Sequence, residues 1–166
     1  KTSVAEELHW KFDRSVHLDG DALGNVNPFY IYDDARTLHL HRTLALLVRF
    51  HREHGYSDFE INYIFENAGQ LNQLKDLLRP SDPDLHSFRL VCDAAELENR
   101  VRRRNRDSLE WELQRAPELA GIQDKAAREG FIGTAFDTTG LTAAQSAEGI
   151  WRLIAKSGGA VRRRES

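Results

Sequence analysis

The sequence predicts an α/β fold in three layers (α/β/α), with helices on both faces of a doubly wound parallel sheet. Three observations predict it. Short runs rich in β-branched and aromatic residues alternate with helical periodicities along the chain, the order that builds parallel sheets. The centres of two of those runs, 61–65 and 89–92, are largely apolar, as in strands covered on both faces. With 166 residues, 40% of them hydrophobic and 30% charged, the chain has the composition of a globular domain able to bury a core.

Each element follows from local pattern. From Thr2 to Phe12, Val4, Ala5, Leu8 and Phe12 fall near helical spacing. Ser15 to Leu18 reads as a short strand ending in the acidic turn LDGD. Asn27-Pro28 favours a turn, so the segment around it reads as a loop. The clearest helix follows. Asp33 or Asp34 can cap its start, leucines recur along it, and Gly55 suits its end. Phe59 to Phe65 reads as a strand, and Leu71 to Leu78 as a short helix stopped by Arg79-Pro80. SFRLVCDA is another strand, with Cys92 expected in its middle as an inert core residue. A charged helix runs on from Ala95, and the stretch from Asp107 to Gly130 reads as two helices broken near Pro117. FIGTAFDTT is the last strand, and Thr142 caps a closing amphipathic helix. One domain is expected over 1–157, with an arginine-bearing lid at about 102–120 and a flexible basic tail at 158–166.

Composition narrows the function. A net charge of −3 gives no general reason to expect nucleic-acid binding. No apolar stretch is long enough to span a bilayer and no signal peptide is visible, so no membrane role is expected. The single cysteine excludes an internal disulfide framework and suits a reducing, cytoplasmic setting. His39, His41, His51 and His54 share one helix without the spacing of a zinc site. A monomer or homodimer is the expected state.

Four features could carry chemistry. Lys1-Thr2 opens a helix in the way the phosphate-binding signature G-x-x-x-x-G-K-[ST] closes, although a Thr that merely caps a surface helix looks the same. Because the chain also lacks methionine, residues upstream of Lys1 are expected in the biological protein. Asp19 and Asp21 stand at the carboxyl end of a strand, where paired carboxylates can hold a metal-bound water and accept a proton. They are equally what a solvated turn around Gly20 would carry. The next strand brings Glu66 and Asn67 to the same edge, as ligands or as a helix cap. Arg100, Arg102, Arg103, Arg104 and Arg106 give one helix a run of fixed cations, either a solvated face or a clamp for phosphate.

In their order, KTS opening a helix, LDGD, an apolar strand ending IFEN, RLVCDAAELENRVRRRNR, and FDTTGLTAAQSAEGIWRLI resemble the small-molecule and nucleotide kinases of the P-loop NTPase superfamily. Gluconate, adenylylsulfate and shikimate kinases and chloramphenicol phosphotransferase are the members most similar in motif. The resemblance implies ATP and Mg²⁺ as cofactors and a small-molecule acceptor as partner. It implies that Lys1 contacts the β- and γ-phosphates, that Thr2 binds Mg²⁺ with Ser3 beside it, and that Asp19 helps hold the metal. Asp21 would orient or deprotonate the acceptor hydroxyl. Arg36 or Arg42 would hold an acidic group of the acceptor, with Glu66 at the same site. Arg100, Arg104 and Arg106 would serve the transferring phosphoryl group from the lid, and Thr138 and Thr139 would lie near the adenine. The same resemblance requires a strand and a glycine-rich turn ahead of Lys1, because without them ATP has no cradle. Two other functions stay open: an ATP-binding resistance or regulatory protein with little transfer, and an interaction module whose arginine helix binds an acidic partner.

Overall fold

A computed structural model describes residues 1–30, 33–81, 84–104 and 107–157. Arg106 and the tail 158–166 lie outside the described residues. The elements run α1 (Thr2–His9), β1 (Ser15–Asp19), α2 (Gly20–Leu23), α3 (Asp34–Glu53), β2 (Asp58–Asn62), α4 (Ala68–Leu78), β3 (Phe88–Val91), α5 (Ala94–Arg103), α6 (Leu109–Glu129), β4 (Thr134–Asp137) and α7 (Ala143–Lys156). Among the described residues, no helix is long and apolar enough to cross a membrane.

β1 pairs in parallel with β2, Ser15 opposite Asp58 and Asp19 opposite Asn62. β3 pairs in parallel with β4, Phe88 opposite Thr134. The expected parallel strands are therefore present, as two pairs. Between β2 and β3 lies a cavity of about 640 Å³, lined by apolar side chains that include Leu8, Ile61, Leu74, Leu90 and Ile150. Among the described residues β2 pairs only with β1 and β3 only with β4, so each pair turns one strand towards this space.

The β1–β2 pair is two-faced because side chains alternate along a strand. Leu18 joins Leu40, Leu44, Val48, Leu74 and Leu78 in the main core, with Val16, Phe59 and Ile61 packed against it. Leu40, Leu44 and Val48 recur every fourth residue on α3, which makes one buried stripe on that helix. The opposite face carries Ser15, His17, Asp19, Glu60 and Asn62 and meets α1. α1 in turn packs on α7, tied by Lys11 Nζ to Glu148 Oε2 at 2.7 Å. Capping fixes the helix starts. Asp33, Asn67 and Asp93 each accept from backbone amides, and Thr142 with Gln145 forms a capping box.

Three expectations need correction. The turn after β1 is a short helix, α2, because the Asp19 carboxylate caps it. Cys92 sits just beyond the end of β3 and is half-buried. Pro117 does not break the 107–130 stretch; α6 runs through it as one helix. The proline removes an amide donor, but tertiary contacts hold the helix on both sides of it: Arg115 to Glu66 before it, and Gln123 to the Phe65 carbonyl and Asp124 to Arg89 after it.

Candidate active site

The carboxyl ends of β1 and β2 and the start of α1 meet at one edge. Asp19, the last residue of β1, accepts from the backbone N–H of Asp21 at 2.8 Å and of Ala22 at 3.2 Å through Oδ1. Its Oδ2 accepts the Thr2 hydroxyl at 3.2 Å. Gly20 is required for close approach: a Cβ there would lie 2.7 Å from Tyr63 Cδ2 on the neighbouring strand's extension. Lys1 Nζ reaches Asp21 Oδ2 at 3.3 Å, and the Asp21 side chain is 58% exposed. Lys1 supplies no side-chain cap, so the leading amides of Thr2 and Ser3 mark an uncapped helix start, the property that makes such ends seats for anions.

Burial alone would raise Asp19. Hydrogen bonds from Asn62, from the amides of Ala22 and Asp21, and from Thr2 outweigh it and hold the carboxyl below the usual range. Asp19 is thus a fixed carboxylate, oriented through both oxygens. Asp21 is the open one. The Thr2 hydroxyl and the Asp19 carboxylate are oxygen donors that could hold a hard cation at this corner. Among the described residues no group of three or more His, Cys, Asp or Glu gathers to hold a metal.

The arginines have found protein partners. Arg100 Nε bonds Glu96 at 2.7 Å, and its Nη atoms reach Thr138 Oγ1 at 2.8 Å and the Thr138 carbonyl at 2.6 Å. Thr138 is buried, and its own hydroxyl donates to the Val91 carbonyl. Thr139 Oγ1 accepts from the Asp93 amide, while its own amide donates to Asp137 Oδ1. Arg100 therefore fastens the loop after β4 to α5. Arg104 lies 3.4 Å from Glu112 and bridges α5 to α6.

On the acceptor side, Arg36 donates to the Tyr30 carbonyl at 3.0 Å and lies over the Phe29 ring at 4.5 Å. Arg42 is exposed further along α3. Glu66 accepts from Arg115 at 2.9 Å, and Arg115 also meets Glu118. The structure thus brings Lys1, Thr2, Asp19 and Asp21 together, sets Arg100 beside Thr138, and gives Glu66 and Arg36 protein partners of their own. Asn62, His17 and Arg115 were not anticipated. Asn62 and His17 had a signal, a polar residue at every second position of an otherwise apolar strand pair. Arg115 had none, since its partner is 49 residues away.

No family model and no curated protein sequence matches this chain. Solved structures do. The tunicamycin resistance protein of Deinococcus radiodurans superposes with a TM-score of 0.62 at 18% identity, over 98% of this chain and 93% of that one. A sugar kinase from Janibacter sp. superposes with a TM-score of 0.63 at 15% identity, over 94% and 89%. This chain shares the mixed α/β fold of these two structures. At such low identity the likeness concerns the fold alone.

Proposed function

We propose that the chain is an ATP- and Mg²⁺-dependent phosphotransferase that moves a γ-phosphoryl group to a small hydroxyl compound. What most supports this is the pairing at the sheet edge, Thr2 on Asp19 and Lys1 on Asp21, at the uncapped start of α1. Lys1 leaves Asp21 for the β- and γ-phosphates, which frees the exposed carboxylate to face the acceptor. The acceptor oxygen attacks the γ-phosphorus, its proton passes to Asp21, and the bond to the departing ADP breaks. Mg²⁺ would neutralise the phosphate oxygens; Thr2 and Asp19 would hold it. The remaining work is positioning, with Arg100 and Arg104 as the neighbouring cations and the loop from Asp137 to Gly140 beside the base.

Two parts of this proposal lie upstream of Lys1. A glycine-bearing turn is needed to cradle the phosphates, and a parallel strand before it would fill the cavity between β2 and β3, joining the two pairs into one sheet. The apolar lining and the two inward-turned strands support that placement. The paired arginines argue against an acidic-partner module: Arg100, Arg102 and Arg104 already hold Glu96, Glu98 and Glu112.

A second reading, nucleotide binding with little transfer, is favoured by the Lys1–Asp21 pair, which occupies the base. Transfer from γ-labelled ATP to a panel that begins with tunicamycin and simple sugars separates the two. Labelled product supports transfer. Mg·ATP binding with no labelled product, across acceptors that protect the protein thermally, supports the second reading.

A further inference from the structure

We infer that Asn62, held in place by His17, positions the Thr2 hydroxyl for a metal ion; this rests on the phosphotransferase reading above. A threonine hydroxyl has one proton to donate and two lone pairs. Thr2 donates its proton to Asp19 Oδ2 at 3.2 Å and accepts from Asn62 Nδ2 at 3.4 Å. One lone pair remains, and its direction is set by the other two bonds. Without Asn62 the hydroxyl keeps its bond to Asp19 but can swing about it, and the free lone pair has no fixed aim.

Asn62 can do this because its own orientation is settled from behind. Its Oδ1 makes a short contact with His17 Nε2, so the imidazole N–H donates there and the amide NH₂ must face Thr2 and Asp19. The reverse orientation would set donor against donor. The same amide contributes to stabilising the Asp19 carboxylate. Register makes the cluster possible: Asn62 lies directly opposite Asp19 on the paired strand, and His17 is two residues earlier on β1, on the same face. Asn62 is only 7% exposed, so this is a built site and not a solvated side chain that happens to lie near.

The alternative is that Asn62 and His17 simply satisfy one another in a buried polar layer. Metal affinity separates the two. In the full-length protein, Mn²⁺ binding in the presence of ATP is titrated by electron paramagnetic resonance, and ATP binding in EDTA is measured in parallel. Asn62→Ala and His17→Leu are each expected to weaken Mn²⁺ binding by about tenfold, the lower end for loss of an outer-shell partner, with metal-free ATP affinity unchanged. His17→Gln keeps an N–H donor and is expected to stay within about threefold of wild type on the same scale. His17→Leu leaves Asn62 in place and serves if Asn62→Ala does not fold. Undiminished Mn²⁺ affinity in either variant overturns the inference, as does an equal fall in metal-free ATP binding. Failure of the wild type to bind Mn²⁺ with ATP overturns the phosphotransferase reading and this inference with it.

Discussion

Replacing Glu60 with Gln should stabilise the protein, and by an amount that grows with pH. Glu60 sits mid-strand on β2, 7% exposed, beneath α1. The His9 Nδ1 lies 3.4 Å from its Oε2 without forming an aligned hydrogen bond. Burial pushes the Glu60 carboxyl from 4.5 up to about 8, so at neutral pH the folded state holds a proton that the unfolded chain has lost. Binding more protons when folded means that stability is full below pH 4.5 and falls as pH rises towards 8. The cost is about 1.4 kcal/mol per pH step above the unfolded value: under about 1 kcal/mol at pH 5 and about 3 kcal/mol at pH 7. A glutamine has the same shape and no proton to lose. Urea unfolding of wild type and Glu60→Gln at pH 5, 6, 7 and 8 should show a difference that widens steadily in favour of the variant. A gap independent of pH would refute the reasoning, because it would mean that the buried carboxyl is not the proton carrier. Burial, and then the charge of His17, also lower His9, which adds an opposite and smaller loss as pH falls below 6.5.

Three further outcomes follow from the site. Gly20→Ala drives a methyl to 2.7 Å from the Tyr63 ring and should destabilise by about 1–3 kcal/mol while displacing Asp19 and Asp21, read by urea midpoint together with transfer rate. Arg100→Ala removes the charged donor to the Thr138 hydroxyl and carbonyl oxygens, leaving the carbonyl its bond from the Leu141 amide; a loss of about 1–3 kcal/mol is expected, with weaker ATP binding by calorimetry. Asp21→Asn keeps the turn and removes the base, so transfer should fall by at least about 100-fold with ATP affinity nearly intact; parallel losses would count against its role.

How legible the sequence was depended on how local each cause is. Helix starts were readable because Asp33, Thr142 and their amides lie within three residues of one another. Lys1, Thr2, Asp19 and Asp21 were each candidates from motif order, and the packing of α1 on β1 sets Thr2 3.2 Å from Asp19 and Lys1 3.3 Å from Asp21. The continuity of α6 was not readable. A proline in mid-helix predicts a break from local terms alone, and the contacts that override it come from residues 35 to 58 positions away. The partner of Glu66 was hidden for the same reason, since Arg115 lies 49 residues away. A charged residue in sequence advertises its chemistry, but whether a protein partner already holds it depends on the tertiary fold.

The β1–β2 pair also explains why chemistry and stability should separate under mutation. Val16 and Leu18 point into the α3–α4 core, and the alternate residues Ser15, His17 and Asp19 point under α1. A one-residue slip of register would exchange the two sets, burying Asp19 among leucines and exposing Leu18, so the apolar face enforces the placement of the polar one. Truncating Leu18 or Leu44 should therefore lower stability with metal and nucleotide affinities retained in the folded fraction. Changes at His17 or Asn62 should instead weaken metal binding while metal-free nucleotide affinity is retained. The polar layer is tolerated because nearly every member has a partner within it; Glu60, the exception, is the residue whose carboxyl burial has to neutralise.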